Sequence, residues 1–378
     1  MKQRFCKLAI VAGIMMCCGT AAQLFAEGAD SAAAPAAEPA AAPAPAPKPA
    51  GPQGSVYGKV YADYYYDVSD TPIVEKSQIE LSRVYLGYKE KIDDHFTADV
   101  LLDVARLSTA TSATGTYTAP STVAIKLTST ANTQYYAYLK TAYLAWKDVL
   151  PMTTLSVGQI PYFAFDVQES FWGHRYLYKT LMDNESWESS ADLGAKVQVA
   201  PIDMLKITIG VTNGEGYKAP QDAYGKYKFA GAAQVNPIKD LTLYVYGDLM
   251  PYGPTTDTLQ TTAAAFAGYN IMDMGKIGVE YDAQFKQKGV TDHNVNGLSV
   301  EGMYSIIKPV EVFARYDLMG SKVINGTNWN PQDGHTVIAG VQYSPISKVK
   351  FAMDYQGTNL RIDKIQNNKI YINGEFDY

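Results

Sequence analysis

The residues best equipped for chemistry crowd into one stretch. Between Ala164 and Ser190 the chain places Asp166, Glu169, His174, Arg175, Lys179, Asp183, Glu185 and Glu188. Elsewhere Arg83, Asp99, Asp103 and Lys140 stand in segments that otherwise alternate apolar and polar residues. Bond-making catalysis needs a nucleophile, a base and an orienting group in one place. The four histidines (His95, His174, His293 and His335) are spread over predicted turns and loops. Neither Gly-x-Ser-x-Gly nor His-Glu-x-x-His occurs, so no hydrolase or metalloprotease motif is present. Mixed charges without a nucleophile suit another task, the electrostatic sorting of a solute that passes close by.

Such sorting needs a frame, and the frame is read from the flanks. A strand is expected over 153–163 and another over 191–200, leaving the 27 residues from Ala164 to Ser190 as the connection. Connections of that length inside a folded unit are usually functional or disordered. Phe171, Trp172, Tyr176 and Tyr178 fall within eight residues, too aromatic for disorder. The expectation is a loop that folds into the mouth of a barrel and narrows it; the alternative is an outer loop packed on the rim.

Alternation runs through the body. In the last segment Ile370, Ile372, Gly374, Phe376 and Tyr378 share one parity, and Lys369, Tyr371, Asn373, Glu375 and Asp377 share the other. Successive strand side chains point to opposite faces, so one face is apolar and the other charged. The same pattern recurs at 96–106, 205–213, 275–287, 310–320 and 348–358. Sixteen strands are expected in all, the rest at 56–67, 78–91, 133–147, 153–163, 191–200, 226–236, 241–250, 261–272, 297–307, 335–344 and 368–378. An even count, strands near the 9–11 residues of a tilted membrane span, and short turns alternating with long loops describe a 16-stranded antiparallel transmembrane β-barrel. Twenty-nine tyrosines, clustered near strand ends, suit aromatic girdles. A soluble sandwich would alternate similarly but has no need of strands this long or of that many girdle aromatics.

One strand breaks parity. Ile79 and Leu81 lie on one register, Val84, Leu86 and Tyr88 on the other. A bulge near Ser82–Arg83 reconciles them and aims Arg83 inward. An outward arginine at mid-bilayer would cost about 2–4 kcal/mol.

The front of the chain is an export signal, residues 1–26. Lys2, Arg4 and Lys7 precede an apolar run from Leu8 to Cys18, with cleavage after Ala22 or Ala26. Cys6, Cys17 and Cys18 are the chain's three cysteines, so the exported part would hold no disulfide, thiol nucleophile or Cys–zinc site. No metal or cofactor motif is found. Residues 27–54 are Ala/Pro-rich and read as a periplasmic spacer, or as an arm that touches the cell wall. Residues 55–378 form the barrel.

Several segments resemble the phosphate-selective porin O and P family. They are QIELSRVYLGYKEKIDDHFTADVLLDVA at 78–105, VGQIPYF at 157–163, QESFWGHRYLYKTLMD at 168–183, SADLG at 190–194 and VTNGEGY at 211–217. The resemblance implies a trimeric 16-stranded porin with a loop folded into the pore, and an aromatic end recognised by the barrel assembly machinery, here Phe376 and Tyr378. The implied setting is the outer membrane of a Gram-negative bacterium, with lipid around the barrel and small hydrophilic solutes or ions inside it.

Charge departs from that family. Setting aside Lys2, Arg4, Lys7 and Lys48 leaves 28 of the chain's 32 basic residues; setting aside Glu27, Asp30 and Glu38 leaves 35 of its 38 acidic ones. Residues 55–378 therefore carry −7, and the inward parity holds ten cations against 13 anions. A phosphate preference does not follow from a mixed wall, and there is no basic footprint for nucleic acid. The expected constriction draws on Arg83, Asp99, Asp103, Lys140, Glu169, His174, Arg175, Lys179 and Asp183. The sequence reading is a weakly selective diffusion channel; an anion- or phosphate-selective channel and a structural or adhesive barrel are its alternatives.

Overall fold

The computed structural model describes residues 53–69, 76–106, 134–253, 258–272, 274–361 and 366–378, with the backbone of 111–114 and 126–129. The predicted signal and nearly all of the predicted linker lie outside the described residues.

Sixteen strands close into one antiparallel barrel. They are β1 (Gln53–Asp67), β2 (Ser77–Lys91), β3 (Phe96–Arg106), β4 (Tyr135–Lys147), β5 (Thr153–Pro161), β6 (Ala191–Ile202), β7 (Leu205–Thr212) and β8 (Lys228–Ile238). The second half is β9 (Leu241–Tyr252), β10 (Thr258–Ile271), β11 (Gly275–Phe285), β12 (Val295–Ile307), β13 (Val310–Ser321), β14 (Gly334–Ile346), β15 (Val349–Leu360) and β16 (Gln366–Asp377). β1 pairs with β16, Tyr61 opposite Glu375, so no edge remains to template aggregation. Every expected strand is present. β1 begins at Gln53, two residues inside the predicted linker, and β5 stops at Pro161 rather than 163. The long connection after β3 carries a small hairpin, Thr111–Thr114 with Lys126–Ser129, which the sequence reading did not anticipate.

The outer face is an apolar belt. Ile209 is 65 % exposed, Met353 60 % and Ile372 53 %. So much exposed aliphatic surface is unfavourable in water and expected against acyl chains. Aromatics border it at both ends: Trp146, Tyr269, Tyr304, Tyr343 and Phe351 toward the short turns, Tyr66, Tyr135, Tyr227 and Phe285 toward the long loops. The inner face carries the charge, with Asp103, Asp248, Asp282 and Glu375 all buried. Lys226 and Lys286, counted on the inner wall from sequence, fall just outside strands.

The expected bulge is there. Tyr61 pairs with Arg83 and Ala62 with Leu81, leaving Ser82 as the extra residue. Its hydroxyl donates to the Tyr61 carbonyl at 3.3 Å. A second bulge, unanticipated, lies in β4, where Leu101 pairs with Thr141 and Leu102 with Leu139, so Lys140 is extra.

A candidate constriction site

The loop 162–190 crosses the barrel interior. It holds two short helices, α1 (Asp166–Trp172) and α2 (Leu181–Asn184). Gly173 closes α1 in the left-handed region at φ 69°, its N–H donating to the Glu169 carbonyl at 3.0 Å, a conformation glycine adopts without penalty. The helix then turns sharply and delivers His174 and Arg175 to different sides.

One side of the loop is glued to the wall. Phe163, Phe165, Leu181, Met182 and Trp187 join Tyr244, Tyr246, Phe266 and Met319 in one buried cluster. The wall leaves room by being small there. An added Cβ at Gly268 would come within 2.5 Å of Phe171, and one at Gly297 within 2.6 Å of Leu181. Trp172, fully buried, packs edge-on to Phe313 with ring centroids 6.1 Å apart. Polar pins reinforce this. Arg315 forks onto Asp317 with two 2.8 Å bonds and donates to the Lys179 carbonyl at 2.7 Å. Tyr176 donates to Gln342 at 2.8 Å. Lys228 meets Glu188 at 2.5 Å, both buried, and removing one partner strands the other's charge at a cost of about 3–5 kcal/mol.

The other side faces β1–β4 across a cleft. Arg175 stands at its centre. Its Nε donates to Glu169 at 3.0 Å, and its terminal nitrogen lies 3.2 Å from Asp183. Lys179 also reaches Asp183, at 3.0 Å. Burial raises the Asp183 carboxyl, but Arg175 and Lys179 outweigh it and hold it below its ordinary value. Across the gap Arg83 meets Asp103 at 2.6 Å, and Tyr61, Tyr85 and Tyr176 bring their rings within 5.8 and 6.4 Å of one another. Three cavities of about 430, 550 and 390 Å³ surround this point, and Arg175 is the one residue that lines all three.

No family model matches the chain, and no curated protein matches it in sequence. Solved structures do match in shape. The outer-membrane channel DcaP of Acinetobacter baumannii superposes with a TM-score of 0.56 at 11 % identity, covering 87 % of this chain and 98 % of that one. Salmonella typhi OmpF, solved with daunomycin, gives 0.60 at 11 %, covering 86 % and 97 %. A mutant of the Rh. blastica porin gives 0.54 at 14 %, covering 86 % and all of that chain. The fold is that of outer-membrane porins. The finer resemblance, to the phosphate-selective porin O and P family, is not shown by these similarities.

Of the nine residues expected at the constriction, six line the cleft: Arg83, Lys140, Glu169, Arg175, Lys179 and Asp183. Asp103 lies directly behind Arg83 and has no exposed surface. Asp99 sits away from the cleft, buried in the wall, accepting bonds from Tyr57 at 3.0 Å and Thr141 at 3.2 Å. His174 lies on the glued side. Its ring packs 4.8 Å from both Trp172 and Phe313, its Nδ1 is 2.7 Å from the Trp172 carbonyl, and its Nε2 is 2.9 Å from Glu311. It anchors the loop and does not meet the passage. Sequence reasoning missed Tyr217 and Lys218. Tyr217 donates to Asp103 at 2.8 Å, so a second loop, 213–227, also leans into the barrel. The Asn213-Gly-Glu-Gly216 run that precedes them signals a turn, and nothing in it signals a direction.

Proposed function

We propose that this chain is a porin of a Gram-negative outer membrane, a water-filled channel through which small hydrophilic solutes and ions diffuse passively. One observation carries the reading: a closed 16-stranded barrel is crossed by its own loop, which is fixed to one wall and faces the other across a charged cleft centred on Arg175. A structural or adhesive barrel has no need of a loop pinned across its interior. The apolar belt and its two aromatic borders supply the lipid contact such a role requires. With the short turns in the periplasm, the long loops face outward.

The proposal includes a homotrimer, as the sequence resemblance implies, and assembly through the barrel assembly machinery. Phe376 and Tyr378, 48 % and 45 % exposed on the lipid side of the last strand, are the residues we assign to that signal. Residues 1–26 are proposed as the cleaved leader and residues 27–52 as a spacer dispensable for insertion, since Gln53 and Gly54 belong to β1. Selectivity is read as weak over the whole lumen, with any anion preference local to Arg83, Lys140, Arg175 and Lys179. Focused charge at a narrow place outweighs scattered charge in a wide vestibule.

Purified protein added to a planar bilayer in KCl tests this. Discrete, long-lived ohmic steps are expected. Folded, heat-modifiable protein that inserts but passes no current would end the channel reading.

A further inference from the structure

Three ammonium groups that line the 550 Å³ cavity, those of Lys140, Lys218 and Lys288, form no ion pair among the described residues, and two of them rest on aromatic rings. Lys140, the extra residue of the β4 bulge, lies 4.7 Å over the Tyr85 ring. Lys218, on the loop 213–227, lies 5.1 Å over Tyr138 and 5.4 Å over Tyr217. Neither forms an ion pair among the described residues, whereas Arg83, Arg175, Lys179 and Lys228, which line the same cavity, all do. A cation resting on an aromatic face is held loosely enough to exchange that contact for an anion.

Lys218 is exposed, but the chain beside it is held in place. Tyr217 beside it donates from its hydroxyl to Asp103 and from its backbone to the Ala191 carbonyl at 3.0 Å. The Gly214 N–H donates to Asp192 at 2.6 Å. Gly216 turns the chain at φ 80°, where a Cβ would press within 2.5 Å of Ser189. The lysines also feel each other. Burial first, and then Arg83, pull the Lys218 ammonium below the ordinary lysine value; Asp103 opposes them, and Lys179 and Lys140 add to the lowering. Three other cations thus act on Lys218 against one carboxylate, although residues 55–378 are net negative. A shielded Tyr138 hydroxyl beneath Lys218 has no hydrogen-bond partner among the described residues.

We propose that Lys140 and Lys218 form a capture subsite, on the long-loop side of Arg175, for a small organic anion: a carboxylate on a planar or short carbon skeleton. This rests on the channel reading and deepens it. The two ammonium groups would hold the carboxylate. The rings of Tyr85, Tyr217, Trp187 and Tyr252, which also line the cavity, would cover the carbon part. A bare inorganic anion gains nothing from those rings, which sets the class.

The test is block of single-channel current by benzoate added to the long-loop side in dilute KCl, with inorganic phosphate as the comparison. Wild type should be blocked by benzoate and much less by phosphate. Lys140→Gln with Lys218→Gln should raise the half-blocking concentration about tenfold, the scale of losing charge-assisted contacts. Lys140→Arg with Lys218→Arg should restore it, and Lys322→Gln, at a rim pair with Asp292, should not change it. Equal block by phosphate would overturn the organic class. Unchanged benzoate block in the Gln pair would overturn the subsite. Absence of current in KCl would defeat the channel reading and this one with it, and is told apart by appearing before any blocker is added. Because the Arg pair keeps both charges, failure of that folded pair to restore block also counts against the subsite.

Discussion

Replacing Arg175 and Lys179 by glutamine should turn the channel toward cations by a predictable amount. Both side chains line the cleft, and Arg175 lines all three cavities that meet there. A unit charge roughly 6 Å from a passing ion changes its energy by about 0.7 kcal/mol at the dielectric of water. Screening at 0.1 M salt, with a Debye length of about 10 Å, keeps roughly half of that. Anion and cation move in opposite directions, so one lost charge shifts their permeability ratio by about 0.7 kcal/mol, or about threefold. Two lost charges give about tenfold. At 1 M salt the Debye length falls to about 3 Å, and the same pair should give about twofold or less. Reversal potentials in KCl gradients at low and high salt measure both numbers. A folded double variant with an unchanged reversal potential at low salt would mean that ions do not pass beside this loop.

Three further outcomes follow from the packing. Gly268→Val should push Phe171 off the wall, an overpacking strain of about 1–3 kcal/mol, and raise both conductance and current noise; unchanged records would show that the loop does not depend on that groove. Arg315→Met removes the bond to the Lys179 carbonyl and leaves Asp317 unpaired in the buried wall, a loss of about 3–5 kcal/mol; trypsin should then cut the loop, and Arg315→Met with Asp317→Leu should regain most of the resistance. Tyr378→Asp puts a charge at the lipid edge and removes the Tyr378 hydroxyl bond to the Tyr85 carbonyl, 3.0 Å in the native chain; folded, heat-modifiable barrel should drop well below wild-type amounts, and full recovery of barrel would count against the assembly role.

The barrel was legible because its physics is local and repeated. Alternation with period two is imposed on every strand by lipid on one side and water on the other, so Ile370 to Tyr378 announces both faces. The bulge at Ser82 could be read because parity flips between Leu81 and Val84. The bulge at Lys140 could not, because the tyrosines of Tyr135–Tyr138 suit a girdle and a lumen equally, which hides the flip. In the loop, composition identified the charges but not their side. His174 and Arg175 are neighbours in sequence, yet Gly173 and the wall at Phe313 send one into the packing and leave the other in the cleft. That choice is made by contacts with β13, more than a hundred residues away, and leaves no local trace. Lys218 is the same case, since distant contacts such as the Tyr217–Asp103 bond turn its loop inward.

The account turns on Arg175 standing in the conducting path, and the sequence offers a direct probe. The chain's three cysteines all lie in the first 26 residues, so a cysteine placed at 175 would be the single thiol from residue 27 onward. Single-channel current through Arg175→Cys should fall abruptly when a bulky thiol reagent is added, and His174→Cys, in a site that is 3 % exposed, should not respond. An Arg175→Cys channel that is labelled in full and still carries its original current would contradict the account.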